Sequence, residues 1–375
     1  MNEINKLDVF YNDMKVGTLA EDHNYRVAFQ YDMNWISKGF SISPLSLPLT
    51  EKVYVPNLHP FDGVFGVFAD SLPDGWGRLL VDRFLKEKGI NPTEINTISR
   101  LAIVGDTGMG ALSYKPNVNL VKNMKYDDLD ELCASCKAVL NSQYTSDLDL
   151  LFELGGSSGG ARPKILTNYD DEEWIIKFPS SYDSDNIGKM EFDYMNCAKD
   201  CGIIVPECRL FPSKKVEGYF GVKRFDRVGQ KKIHMITASG LLETSHRLPN
   251  LDYNDLMKLT MILTDDFSEV EKMFRLMTFN VFAHNRDDHS KNFSFIFNES
   301  LGKWQLSPAY DLTYSSSIGG EHATTVNGKG KNPQVDDIIS VGEQIGLSKE
   351  KCSQIVNEIK DKVHGNLREY IEIKK

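Results

Sequence analysis

The run Asn285-Arg286-Asp287-Asp288-His289-Ser290-Lys291-Asn292-Phe293-Ser294, followed later by Tyr310-Asp311-Leu312, constrains this chain more than any other stretch. Phosphoryl transfer needs a carboxylate to orient the attacking hydroxyl and accept its proton. It also needs an amide and a second carboxylate to hold Mg²⁺ against phosphate oxygens. Asp287 and Asn292 stand five residues apart, the spacing of a base and a metal-binding amide on one loop, and Asp311 follows an apolar segment where the second metal ligand would fall. Asp287 is taken as the base because it alone has that spacing to Asn292. Asp288 is read as its solvent-facing neighbour, and His289 as either an ordinary loop histidine or a nucleotide or phosphate contact. The bland alternative for the whole run is a polar surface turn, since Asp, Asn and Ser favour turns through local hydrogen bonds.

The context favours chemistry. An apolar helix-like run over 273–283 leads in, residues 293–297 alternate like a strand, and 298–302 read as a hairpin turn before a second strand at 304–306. Helix, loop, hairpin and then a metal-binding aspartate is the order of the C-lobe in protein-kinase-like folds. The run 285–293, with Leu306-Ser307-Pro308-Ala309-Tyr310-Asp311, resembles the signature of the HipA family, bacterial serine/threonine kinases that act as toxins of toxin–antitoxin pairs. It departs from the general kinase pattern in two places. His284-Asn285-Arg286 precedes Asp287 where His-Arg would stand, and no Phe-Gly follows Asp311.

A chain of 375 residues with 41% hydrophobic residues can bury a sizeable core and is expected to split into two or three packed units. Its net charge of −10 argues against a general nucleic-acid binder, which needs a basic face to displace counterions. The charged N-terminus, Met1-Asn2-Glu3-Ile4-Asn5-Lys6, lacks a signal-peptide core, and no apolar run reaches membrane-spanning length, so a cytoplasmic protein with no membrane contact is expected. The six cysteines are too few and too unevenly spaced for a disulfide framework and are expected as free thiols. Cys133 with Cys136, and Cys197 with Cys201, have spacings a zinc site could use, but they lie in helix-like sequence without the surrounding glycines.

Residues 1–115 read as a strand-rich subdomain. A hairpin turns at Tyr11-Asn12-Asp13, and residues 25–31 alternate in polarity. Asp70-Ser71-Leu72-Pro73-Asp74-Gly75-Trp76-Gly77-Arg78 offers helix N-caps before a helical spacing over 76–88. This run, with Leu101-Ala102-Ile103-Val104-Gly105-Asp106, also resembles the N-terminal HipA subdomain. Residues 124–152 are acidic and helix-like, starting near Tyr126-Asp127-Asp128-Leu129.

Next comes Leu154-Gly155-Gly156-Ser157-Ser158-Gly159-Gly160-Ala161-Arg162-Pro163-Lys164. Backbone N–H groups of Gly156, Ser157, Ser158, Gly159 and Gly160 can approach phosphate oxygens unobstructed. The Walker order is absent, and a flexible linker is the alternative. Two strands follow, 165–167 and 173–178, joined by Asn168-Tyr169-Asp170-Asp171. They place Lys177 where a kinase keeps the lysine for its α- and β-phosphates. A lysine between Ile176 and Phe178 needs a counter-charge, and Glu191 or Asp193 on the following helix could supply it; the family resemblance favours Glu191. The strands 205–211 and 219–227 lead to what resembles the family's adenine hinge. There the backbone of Lys223 to Phe225 would meet the purine and Phe225 would pack on it, although Lys223 stands where a glutamate is usual and Phe225 could equally be a core aromatic. From 237 the pattern is helical, with Asp252, Ser268 and Ser348 as caps. Residues 322–332 read as a basic, glycine-containing loop, either substrate-facing or merely solvated.

The expected fold is therefore α+β, two-lobed and protein-kinase-like. It comprises an N-terminal subdomain (1–115), a strand-rich N-lobe with the glycine-rich loop (116–236) and an all-helical C-lobe (237–375). The resemblance implies an ATP- and Mg²⁺-dependent serine/threonine protein kinase, autophosphorylated at Ser157 with Ser158 as rival. It further implies a helix-turn-helix antitoxin as partner, DNA contact mainly through that antitoxin, and a protein substrate, of which an aminoacyl-tRNA synthetase is one family example. A small-molecule phosphotransferase and a catalytically idle co-repressor are the competing readings.

Overall fold

The structure, a computed structural model, describes residues 4–118, 126 and 128–372, with the backbone only at Ile318. The first three residues of the charged N-terminus, and residues 124, 125 and 127 of the expected acidic helix, lie outside the described residues. The chain divides into two compact units. One comprises Met1–Gly188, Leu210–Ile236 and Gly240–Thr244, the other Lys189–Arg209, Thr237–Ser239 and Ser245–Lys375.

The first unit opens with β1 (Lys6–Tyr11) and β2 (Met14–Glu21), an antiparallel hairpin whose turn puts Asn12 at φ 50°, a conformation asparagine tolerates. With β3 (Val27–Tyr31), β4 (Val53–Tyr54) and β5 (Leu112–Lys115) they form a sheet of order β4-β3-β2-β1-β5. Short helices α1 (Met33–Lys38) and α2 (Gly66–Ala69) precede α3 (Gly75–Glu87). The latter buries Trp76, Leu80, Val81, Phe84 and Leu85 at helical spacing, and α4 (Thr97–Val104) follows. Helices α5 (Leu129–Leu140) and α6 (Leu148–Gly155) then lead into a second sheet. Its strands are β6 (Lys164–Tyr169), β7 (Glu172–Lys177), β8 (Cys208–Phe211) and β9 (Tyr219–Lys223), in order β6-β7-β9-β8. The β6–β7 hairpin turns on Asp170 and Asp171, both at positive φ. Trp76, Leu132, Cys133, Cys136, Leu151, Ile165, Trp174, Ile176 and Phe178 share one core beneath this sheet. Cys133 and Cys136 are thus apolar filling, and all six cysteines are free thiols. Small strands β10 (Arg227–Val228) and β11 (Lys231–Lys232) pair, and β12 (Met235–Thr237) with α8 (Ala238–Leu241) carries the chain onward.

The second unit takes up α7 (Ile187–Asp200) from Lys189 onward. Its main body is β13 (Leu251–Asp252), α9 (Tyr253–Thr264), α10 (Phe267–Phe282), α11 (Val335–Ile345), α12 (Lys349–Asn366) and α13 (Arg368–Ile371). Asp252 and Ser348 cap α9 and α12 as expected, whereas α10 is capped by Asp266, whose carboxylate accepts the Ser268 N–H. The expectation of an all-helical 237–375 is corrected. The hairpin β14 (Ser294–Asn298)/β15 (Lys303–Leu306) stands where the alternation over 293–306 placed one, and the stretch further holds the hairpin β16 (Glu321–Val326)/β17 (Lys329–Lys331), with β13 parallel to β16. The residues read as a basic loop are therefore a hairpin turning at Asn327-Gly328, a pair suited to two positive φ values, here 53° and 79°.

Candidate active site

The loop between α10 and β14 is built from the inside out. Helix α10 ends at Phe282, and His284 turns the chain at φ 52°. Asn285 follows, 2% exposed, and donates to Asn280 Oδ1 (3.0 Å); Asn280 in turn donates to the Tyr253 hydroxyl (2.9 Å). That hydroxyl donates to Asp288 Oδ2 at 2.8 Å, where His322 Nδ1 also arrives at 2.9 Å. Asp288 Oδ1 accepts the N–H groups of Ala323 (2.9 Å) and Thr324 (3.3 Å), and its main-chain oxygen accepts Thr324 Oγ1 (2.6 Å). Asp288 is 0% exposed. The expectation that it faces solvent is thus corrected: it fastens the loop to β16 and α9. Burial, with the Asp288 carboxylate second, pushes the Tyr253 phenol well above its ordinary value, so it stays a donor.

On either side, the Arg286 carbonyl accepts the Ala323 N–H (3.0 Å) and Asp287 is exposed. Asn292 ends a short 3₁₀ turn, Ser290–Asn292, and its Nδ2 donates to the Asp287 carbonyl at 2.7 Å. The predicted base and the predicted amide ligand are therefore joined directly. Tyr310 brings in the third residue: its hydroxyl donates to Lys291 O (2.6 Å) and also contacts Ser294 Oγ, while Ala309 N–H donates to Ile204 O (2.8 Å). The next residue, Asp311, sits at φ 54°, a left-handed backbone uncommon outside glycine and found most at Asn and Asp in functional turns. The half-buried His289 ring lies 5.4 Å from that of His246.

In the other unit the glycine-rich loop runs from the end of α6 to β6. Ser158 is 3% exposed and its hydroxyl donates to Gly155 O (2.6 Å), whereas the half-buried Ser157 donates to Thr107 O (3.1 Å). The two serines are thus not equivalent. Gly160 takes φ 81°, and the Gly159 carbonyl accepts from Lys164 Nζ. Lys177 ends β7 between the buried Ile176 and Phe178, its ammonium 5.5 Å from the centre of the Phe220 ring. Lys223 ends β9 and pairs with Glu172 at 2.7 Å, the Arg224 N–H is donated to Glu173 O (2.8 Å), and Phe225 is half-buried. Sequence reasoning missed what lies behind them. Asp226, 0% exposed, accepts from Arg224 Nη2 (2.8 Å), Arg227 Nη1 (2.9 Å) and the Gly110 N–H (2.7 Å). Burial alone would raise its carboxyl, but the Arg224 guanidinium holds it below the usual range. Asp193, one of the two candidates to pair with Lys177, is occupied by Lys189 and by the Tyr370 hydroxyl (2.5 Å), while Glu191 is buried at 2% exposure.

Among the described residues no three or more His, Cys, Asp or Glu side chains cluster to hold a metal by themselves. Asn292 and Asp311 offer a short, hard-oxygen donor set of the kind Mg²⁺ uses when phosphates complete its shell. No described helix is long and apolar enough to cross a membrane.

Comparison with known proteins agrees with this architecture. The HipA N-terminal domain matches residues 7–115 and the HipA-like C-terminal domain residues 156–367. A putative kinase of Sinorhizobium fredii, Y4dM, is 29% identical over 168 residues, 41% of this chain and 40% of that protein. A putative kinase of Haemophilus influenzae is 26% identical over 237 residues, 52% of this chain and 68% of that one. Among solved structures, a chain of the Shewanella oneidensis toxin–antitoxin complex of HipA, HipB and operator DNA superposes with a TM-score of 0.73. The superposition spans 97% of this chain and 90% of that one at 18% identity, a likeness of fold. With one family domain covering more than half of its length and a second covering the N-terminal region, the chain belongs to the HipA family.

Proposed function

We propose that the chain is an ATP- and Mg²⁺-dependent serine/threonine protein kinase, the toxin of a cytoplasmic toxin–antitoxin pair. The observation that carries this reading is the construction of residues 285–292: Asp288 is buried with both carboxylate oxygens engaged, Asn285 is buried and donates to Asn280, and the exposed Asp287 between them has its carbonyl tied to Asn292. A loop whose frame is locked and whose one exposed carboxylate is presented to solvent suits general-base work, where geometry must be fixed before the substrate arrives.

In this reading Asp287 orients the substrate hydroxyl and takes its proton, while Asn292 Oδ1 and Asp311 hold Mg²⁺. Bound Mg²⁺ supplies charge neutralisation on the transferring phosphoryl group. The N–H groups of Ser157 and Gly159 and the Lys177 ammonium receive phosphate oxygens, those of Gly156, Ser158 and Gly160 being donated to Phe152 O, Gly155 O and Asp74 instead, and His289 is a further phosphate contact. Glu191 is the carboxylate assigned to Lys177, because Asp193 is already engaged by Lys189 and Tyr370. The purine falls to Lys223 and Phe225 rather than to the Arg224 N–H, which Glu173 uses.

Ser157 is assigned as the autophosphorylated residue, since Ser158 is buried with its hydroxyl donated to Gly155 O. Phosphate there would end the hydrogen bond to Thr107 and add close to two negative charges to a loop meant for anions, switching the enzyme off. A helix-turn-helix antitoxin is the assigned partner, with DNA contact mainly through it, in keeping with the net charge of −10. The division at residues 115 and 236 belongs to the same proposal.

Incubating the wild-type chain with γ-labelled ATP and Mg²⁺, alone and with a cell lysate, tests the reading. Label on this chain and on a lysate protein is expected. Label only on a small metabolite would mean a small-molecule phosphotransferase, and no label anywhere an idle binding protein.

A further inference from the structure

Residues 70–78 have no part in the reading above, although two aspartates and two glycines stand there within a few positions. Asp74 occupies the N-cap position of α3, yet its side chain makes no capping bond. An aspartate there ordinarily accepts an N–H of the helix's own first turn. Instead Asp74 Oδ1 accepts the N–H of Gly160, in the glycine-rich loop. The Gly160 carbonyl is held as well, accepting the Trp76 N–H at 2.9 Å, and the Trp76 indole N–H donates to Lys164 O at 3.1 Å. The two glycines make the approach possible. A Cβ on Gly75 would lie 2.4 Å from Gly160 O, and one on Gly77 would lie 2.1 Å from Ser158 O.

We propose that Asp74 is a positioning residue: through Gly160 it sets the glycine-rich loop in the conformation that receives nucleotide phosphates. The proposal rests on the reading of residues 156–163 as the phosphate loop. A loop of glycines and serines has many backbone conformations, and fixing one residue by both its N–H and its C=O removes most of them before any ligand arrives. Affinity gained in this way comes from the ordering that binding no longer has to supply, so it shows in nucleotide binding and leaves the chemical step alone.

Hydrogen exchange and nucleotide titration on the full-length protein test this. In the nucleotide-free state Asp74→Ala should speed exchange of the peptide 156–163 by about tenfold, the size of one hydrogen bond, and leave peptides of β1 to β3 unchanged. It should raise the KM for Mg–ATP by a similar factor with kcat unaltered. Asp74→Asn keeps an acceptor oxygen and should restore both. Gly159→Ala places a methyl 3.1 Å from Asp74 Oδ1 and probes the same contact from the loop side should Asp74→Ala not fold; it too should speed exchange in that peptide. Unchanged exchange in these variants, or Asp74→Asn behaving like Asp74→Ala, would overturn the clamp. The underlying reading has its own arm. If Mg–ATP gives no protection to residues 156–163 in the wild type, they are not a phosphate loop, and the role proposed for Asp74 goes with them.

Discussion

Residues 285–292 hang on one connected network of buried side chains, whereas residues 156–163 are held by a mixture of backbone contacts, the buried Ser158 and Lys164 side chains and the half-buried Asp74, Ser157 and Arg162. In the first loop Asp288, Asn285, Tyr253, His322 and Thr324 form a connected network inside the protein. In the second, separate points are fixed one by one: Gly160 against Asp74 and Trp76, Ser157 against Thr107, Ser158 against Gly155 O, Gly159 against Lys164 and Arg162 against Asp183. Buried polar networks are rigid because every broken bond leaves an unsatisfied group away from water. Contacts open to solvent are exchanged for water at small cost. The comparison assigns the loop with the proposed base to a fixed frame and the loop with the proposed phosphate N–H groups to an adjustable one.

That contrast can be broken at several strengths. Asp287→Asn should cut phosphoryl transfer by about a thousandfold with no change in melting temperature, since a general base typically contributes factors of roughly 10² to 10⁴ and this one is exposed. A parallel fall in melting temperature would mean that Asp287 belongs to the frame rather than to the chemistry. Asp288→Ala should instead lower stability. It strands the Tyr253 hydroxyl proton and the Thr324 N–H and removes the His322 contact, at a cost of about 3 kcal/mol or more in urea unfolding. A loss below about 1 kcal/mol would show that the network is not what fixes the loop.

Acid should act through the unit that carries the glycine-rich loop. Burial pushes the His234 imidazole down to about 4, with its Nε2 2.8 Å from Ile42 O. Below the ordinary histidine value of about 6.5 the unfolded chain takes a proton that the folded chain refuses, so stability is full above that pH and falls from there down to about 4. The shift corresponds to about 3 kcal/mol. Unfolding free energies measured at pH 7, 5.5 and 4.5 should show the slope, and His234→Phe should flatten it. The smallest effect belongs to Ser157→Ala, which removes one half-exposed hydrogen bond to Thr107. Stability should change by no more than about 1 kcal/mol, read from the melting temperature.

Much of this was legible in the sequence where the signal is local. The Asn12-Asp13 and Asp170-Asp171 turns, the caps Asp252 and Ser348, and the five-residue step from Asp287 to Asn292 all depend on neighbours along the chain. What was not legible depends on partners far away. Asp288 reads as a solvated loop acid because Tyr253 and His322 are distant in sequence, and only the fold brings them to it. Asp74 reads as a cap for the same reason, its actual partner being Gly160. The hairpin at Asn327-Gly328 carries a local signal, since the Asn-Gly pair favours a tight turn, but the lysines around it give the same stretch the look of a basic loop.

We propose that residues 156–163 and Asp287, Asn292 and Asp311 serve one phosphoryl transfer. Phosphopeptide mass spectrometry of the purified chain after incubation with Mg–ATP, with Asp287→Asn in parallel, tests it most directly. Phosphate is expected on Ser157 in the wild type and nowhere in the variant. Equal phosphate in both proteins, or a wild-type chain that binds Mg–ATP and carries no phosphate on Ser157 or Ser158, would contradict it.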